Sequence, residues 1–143
     1  MAFIAVGNLK GGVGKTTLAI NVACELASSK TPVVVLDADT QETALEWSRA
    51  GDGLPVDVQP LPLENERDMA AWYRKARAVA QNATHVVIDL PPHIGAATSA
   101  ALMLADLFVV PVTPSTLDVN AAVKALGLLT EARTERGDGK PAC

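Results

Sequence analysis

The chain has 143 residues, enough for one compact domain and too few for two. Its 49% hydrophobic and 20% charged residues exclude the charge-rich, apolar-poor profile of a disordered chain. Twelve Lys and Arg against sixteen Asp and Glu give a formal charge of −4, which argues against a surface dominated by nucleic-acid contacts and leaves room only for a local basic patch.

Aromatic residues make up 3% of the chain, so Ala, Val and Leu must fill the core. Short β-branched runs at 3–6, 33–36, 56–59, 86–88 and 107–112 read as five strands. Several are apolar throughout, as strands covered on both faces by helices should be. The first is too short an apolar run for a leader, so no signal peptide is expected. Residues 17–29 form a nearly all-round apolar helix to be buried against the sheet, with Asn21 and Glu25 four apart on its polar face. Residues 67–81 place Met69, Trp72, Tyr73, Ala76, Val79 and Ala80 on one stripe, with Arg67, Arg74, Lys75 and Arg77 largely off it, an amphipathic surface helix. The uncharged stretch 90–105 is broken by Pro91-Pro92 and falls short of the roughly 20 apolar residues of a spanning helix. Ser115 and Asp118 read as a capping pair opening a helix to about residue 132, which the glycines at 137 and 139 break. Cys24 and Cys143 show neither a disulfide framework nor metal spacing, so a reduced, cytoplasmic chain is expected. Strands alternating with helices imply an α/β fold of one domain over 1–143, a mostly parallel sheet with helices on both faces.

Three segments carry chemistry. The first strand runs directly into Leu9-Lys10-Gly11-Gly12-Val13-Gly14-Lys15-Thr16-Thr17 and then into a helix, the setting a phosphate-binding loop requires. Its glycines let successive amide N–H groups turn toward phosphate oxygens, and the helix N-terminus adds partial positive charge. Residues 10–17 are therefore the nucleotide-binding candidates: Lys15 can reach the β- and γ-phosphates, and the Thr16 hydroxyl can coordinate Mg²⁺. The second strand ends in Asp37-Ala38-Asp39-Thr40-Gln41, two carboxylates at the carboxyl edge of a parallel sheet, where ligands of such folds bind. The fourth ends in Asp89, followed by Leu90-Pro91-Pro92, in the form of a Walker B strand whose terminal Asp holds Mg²⁺ through water. His85 and His93 have no acid or cysteine at metal spacing and read as structural or exposed.

The glycine loop has Leu9 where the general pattern has glycine, and a second lysine, Lys10, beside Gly11-Gly12. In this it resembles the deviant Walker A loop of the ParA/MinD family of ATPases. The segment 36–41 resembles that family's D-x-D-P-Q switch, with Thr40 in the proline's place, and the residues after Asp89 resemble its second switch. The resemblance implies a three-layer P-loop NTPase-type fold with about five strands present, Mg²⁺ with ATP or ADP as cofactor, and slow ATP hydrolysis. It implies that Lys10 reaches across a nucleotide-sandwiched homodimer to the partner's nucleotide, a cation supplied in trans. Asp39 then orients the attacking water, while Asp37 supports Lys15 and the Mg²⁺ shell. Pro111-Val112-Thr113-Pro114-Ser115 is similar to a proline-rich segment of small plasmid ParA proteins, near the nucleotide and the dimer contact; a rigid turn before a capped helix accounts for the same residues.

The family resemblance further implies a small DNA-binding ParB-type adaptor, DNA or other cargo to be segregated or positioned, and a cytoplasmic protein, nucleoid-associated where DNA binding is retained. The family's basic surface lies largely in its C-terminal part, and this chain stops where a sixth strand is expected to begin. The later strands and helices are thus expected to be missing, and nonspecific DNA binding has no support in this chain. With no C-terminal amphipathic helix, no membrane role of the MinD type is expected. Two alternatives stand beside the partition ATPase: a P-loop ligase or kinase such as dethiobiotin synthetase, and a truncated, non-catalytic interaction module.

Overall fold

The structure is a computed structural model that describes residues 1–50 and 53–143, without the side chain of Asp118. In chain order it contains β1 (Ala2–Val6), α1 (Lys15–Leu26), β2 (Val33–Asp37), α2 (Thr43–Ser48), β3 (Asp57–Pro60), α3 (Met69–Ala80), β4 (His85–Asp89), α4 (Ala96–Leu104), β5 (Leu107–Val109) and α5 (Thr116–Arg136). A single turn of 3₁₀ helix, Glu66–Asp68, leads into α3. The five strands form one sheet in the order β3-β2-β4-β1-β5, and every pairing is parallel.

Strand residues alternate between two cores, as the period of two requires. On one face Phe3, Ala5, Leu36, Val86, Ile88 and Phe108 pack beneath α3, α4 and α5. On the other Ile4, Val6, Val33, Val35, Val58 and Val87 pack beneath α1 and α2. Trp72 anchors α3 to the first face, buried, with its indole N–H donating to the Leu61 carbonyl at 2.8 Å.

The expected strands and helices are all present, with shifted ends. Helix α1 begins at Lys15, because Gly14 in the left-handed region already serves as its N-cap. Strand β5 ends at Val109 and not at 112: Pro111 has no N–H to donate to a ladder. Ser115 stands at the N-cap of α5, but its side chain makes no capping bond, and the partner expected at Asp118 lies outside the described side chains. Gly137, at φ 67°, ends α5 as expected. Helices α2 and α4 were not foreseen. Helix α4 is apolar and buried nearly all round, which removes the amphipathic period that would reveal it. No helix among the described residues is long and apolar enough to cross a membrane.

Beyond α5 the chain returns to the sheet. Arg136 donates to the carbonyls of Leu102 and Ala105 and pairs with Asp138. Ala142 then forms a parallel bridge with Leu107 on the outer edge of β5, at the place where a sixth strand is expected.

Candidate nucleotide-binding site

Strands β1, β2 and β4 are adjacent, so the segments leaving their carboxyl ends meet at one edge of the sheet. Those segments are the glycine loop, the D-x-D turn and the chain following Asp89. The cleft between them has a volume of about 230 Å³ and is lined by the three loop glycines with Lys15, Thr16, Thr17, Asp39, Leu90 and Pro92.

The glycine loop has the backbone its sequence demands. Gly12 and Gly14 sit at φ 75° and 83°, where a residue with a Cβ is strained even though no atom crowds either position. Val13 between them is buried and pins the loop to the protein. The Lys15 side chain is only 8% exposed, and its ammonium donates to the Lys10 carbonyl at 2.8 Å. Burial lowers the Lys15 pKa, opposed by the charges of Asp89 and Asp39.

The two strand-end carboxylates lie side by side, since Asp37 and Asp89 are partners in the β2–β4 register. Both are buried, and they differ in what they bind. Asp37 is occupied by backbone: Oδ1 accepts from Asp39 N at 3.2 Å and Oδ2 from Leu45 N at 3.1 Å. It thereby caps the first turn of α2 and fixes the turn that bears Asp39. Its pKa is raised by burial, which these bonds only partly offset. Asp39 accepts in turn from Gln41 N at 3.0 Å, and Glu42 takes the left-handed backbone at φ 52° before α2. Carboxylates thus shape this turn at the place where Thr40 replaces the family's proline.

Asp89 is pushed up to about 7, chiefly by burial and further by the neighbouring Asp37; a hydrogen bond from Thr16 and the charge of Lys15 pull the other way. Its Oδ1 is buried with no partner among the described residues. Such an oxygen beside a hydroxyl suits a hard cation that takes its remaining ligands from water and phosphate. Thr16 and Asp89 therefore fit Mg²⁺. No cluster of three or more His, Cys, Asp and Glu forms a metal cage among the described residues.

Of the residues picked out from sequence, Gly11, Gly12, Gly14, Lys15, Thr16, Thr17 and Asp39 line the cleft, with Asp89 touching it through Thr16. Lys10 contributes its carbonyl to Lys15, while Asp37 stands behind the switch turn. Arg67, Arg74, Lys75 and Arg77 are exposed near or on α3. A larger cavity, about 710 Å³, opens beside Ser28, Pro32, Asp57 and Asn82; among the described residues Asp57 is its sole ionisable lining residue. Sequence reasoning passed over Asn8, which is 2% exposed at the entrance to the glycine loop and donates from Nδ2 to the Pro111 carbonyl at 2.7 Å.

A family model described as an AAA domain matches residues 1–50, the segment holding the glycine loop and the D-x-D turn. The chain is 35% identical over 129 residues to the Maintenance of carboxysome distribution protein A of Gloeobacter kilaueensis, covering 86% of this chain and 54% of that protein. It is 29% identical to the Protein ParA of Rhizobium radiobacter, covering 92% of this chain and 57% of that one. The chain thus spans a little over half the length of these relatives. In fold it matches the apo McdA structure from Cyanothece with a TM-score of 0.77 at 18% identity, over 99% of this chain and 69% of that one. A glycine loop, a D-x-D turn and a strand-terminal Asp thus converge on one parallel-sheet edge, in a chain similar in sequence to a ParA and to a carboxysome distribution protein, which supports the resemblance to the ParA/MinD family of P-loop ATPases.

Proposed function

We propose that this chain binds Mg-ATP in the cleft of the glycine loop, pairs with a second copy over the nucleotide, and hydrolyses ATP to segregate or position DNA or another cargo. The observation that carries this reading is the convergence of Lys15, Thr16 and Asp39 on one cleft at the carboxyl edge of the sheet. The names of the relatives, one a ParA and one a carboxysome distribution protein, support positioning of cargo as the output.

Each residue has a part in this reaction. Amide groups of residues 11–16 and the start of α1 hold the β- and γ-phosphates, and Lys15 exchanges the Lys10 carbonyl for phosphate oxygen. Thr16 and Asp89 would hold Mg²⁺, which would supply positive charge to neutralise the phosphates. Asp39, on the turn fixed by Asp37, orients the attacking water. Lys10 of a second copy supplies the cation that stabilises charge on the transferred group. Hydrolysis is slow until a small DNA-binding partner of the ParB type engages the dimer.

Isothermal calorimetry with ADP and ATP in Mg²⁺ tests the reading. Binding of both at one site per chain is expected; binding of neither would leave an inert module, and ADP release that requires a small organic acceptor would mark a ligase or kinase.

A further inference from the structure

Strand β1 pairs with β5 through Ile4 and Leu107, Ala5 and Phe108, and Val6 and Val109. Continued by two residues, this register sets Asn8 against Pro111. The backbone ladder cannot continue there, because Pro111 lacks an N–H. In its place the Asn8 side chain donates from Nδ2 to the Pro111 carbonyl at 2.7 Å, one step beyond the last backbone bond, Gly7 N to Val109 O at 3.0 Å. Turning the amide over would set oxygen against oxygen, so the direction of this bond is fixed.

The junction is tight. A Cβ on Gly7 would lie 2.8 Å from Leu90 Cδ1 and 3.0 Å from Phe108 Cε2, so these two side chains pack directly on the backbone entering the glycine loop. Asn8 itself is 2% exposed, and its Oδ1 is buried without a partner among the described residues. The buried side chain thus makes its hydrogen bond through Nδ2, to the Pro111 carbonyl. Immediately after Asn8, Leu9 and Ile94 line a groove of about 580 Å³ whose other wall is Leu117 and Ala121 of α5. The Asn8 bond joins the residue just before Leu9, on one wall, to Pro111, at the head of the segment that leads into α5 and the other wall.

We propose that Asn8 is a positioning residue that fastens residues 110–115 to the entrance of the glycine loop, so that nucleotide in the loop also fixes the start of α5 and the width of the groove beside it. This rests on the nucleotide-binding reading above. The side chain does not touch phosphate; it carries the order of one segment to the next.

Amide hydrogen exchange of the full chain, without nucleotide and with Mg-ADP, tests the proposal in the wild type, Asn8→Ala and the isosteric Asn8→Asp, whose carboxylate opposes the Pro111 oxygen. In the wild type, ADP slows exchange in both 9–17 and 110–121. Both variants keep slow exchange through β1 and β4 and keep the ADP-induced protection of 9–17. The protection that ADP confers on 110–121 falls by about tenfold, the weight of one hydrogen bond. Equal protection of 110–121 in the wild type and either variant overturns the proposal while leaving nucleotide binding intact, as does loss of all core protection in both variants, which would make Asn8 a packing residue. No effect of ADP on 9–17 in the wild type overturns the nucleotide reading itself, and this proposal with it.

Discussion

The Lys15 ammonium donates to the carbonyl oxygen of Lys10, five residues earlier in the same loop, at 2.8 Å. This bond satisfies a cation that the fold has almost wholly buried, and it uses the Lys10 backbone and not its side chain. The two lysines of the loop are therefore separable by mutation.

Lys15→Ala removes the cation that the proposed function sets against the β- and γ-phosphates. Nucleotide affinity is expected to fall by about 100-fold or more, the usual result of truncating one partner of a buried charged contact. Calorimetry with Mg-ADP measures it, and urea unfolding of the same variant distinguishes lost binding from lost folding.

Lys10→Ala keeps the carbonyl that Lys15 uses, so ADP binding by the monomer is expected to stay within about threefold of the wild type. The ATP-dependent dimer and its hydrolysis are expected to disappear. Asp39→Ala has the opposite signature: the dimer forms with ATP and persists, while turnover drops by about a hundredfold or more. Sizing and phosphate release measured on both variants check the pair; normal turnover in Lys10→Ala contradicts the role in trans.

Burial holds Asp89 near 7 and also raises Asp37. A carboxyl raised in this way keeps its proton in the folded chain at pH values where the unfolded chain, with a pKa of about 4, has lost it. The unfolded state then binds fewer protons than the folded one. Stability without Mg²⁺ or nucleotide is therefore expected to fall as pH rises from about 4 through 7, and to level off above. Urea midpoints from pH 5 to 8 measure this. Asp89→Asn should flatten the curve, leaving the smaller slope that Asp37 contributes; an unchanged slope contradicts the assignment.

Gly7→Ala brings a methyl group to 2.8 Å from Leu90 Cδ1 and 3.0 Å from Phe108 Cε2, both on buried residues that must shift to admit it. Overpacking of this kind costs about 1–3 kcal/mol. The urea midpoint should drop accordingly, whereas alanine at the exposed Gly127 of α5, where no atom crowds the new methyl group, should leave it unchanged or raise it.

The five strands and the three longer helices were legible because alternation and periodicity are local signals. Helix α4 was not, since Ala96–Leu104 is buried nearly all round and its pattern has no polar face. Helix α2 is short and is held at its start by Asp37, six residues before its first residue, a contact that no local pattern announces. The glycine loop could be read residue by residue, because its chemistry depends on backbone torsions that only glycine adopts freely. Asn8 could not: its partner, Pro111, is 103 residues away and becomes a neighbour only through the pairing of β1 with β5.

The central claim is that nucleotide in this cleft drives two copies together, and sizing by light scattering of the chain with Mg-ADP and with a non-hydrolysable ATP analogue tests it most directly. The account predicts a monomer with ADP and a dimer with the analogue. The same mass with both nucleotides, once calorimetry has shown both to be bound, would contradict it.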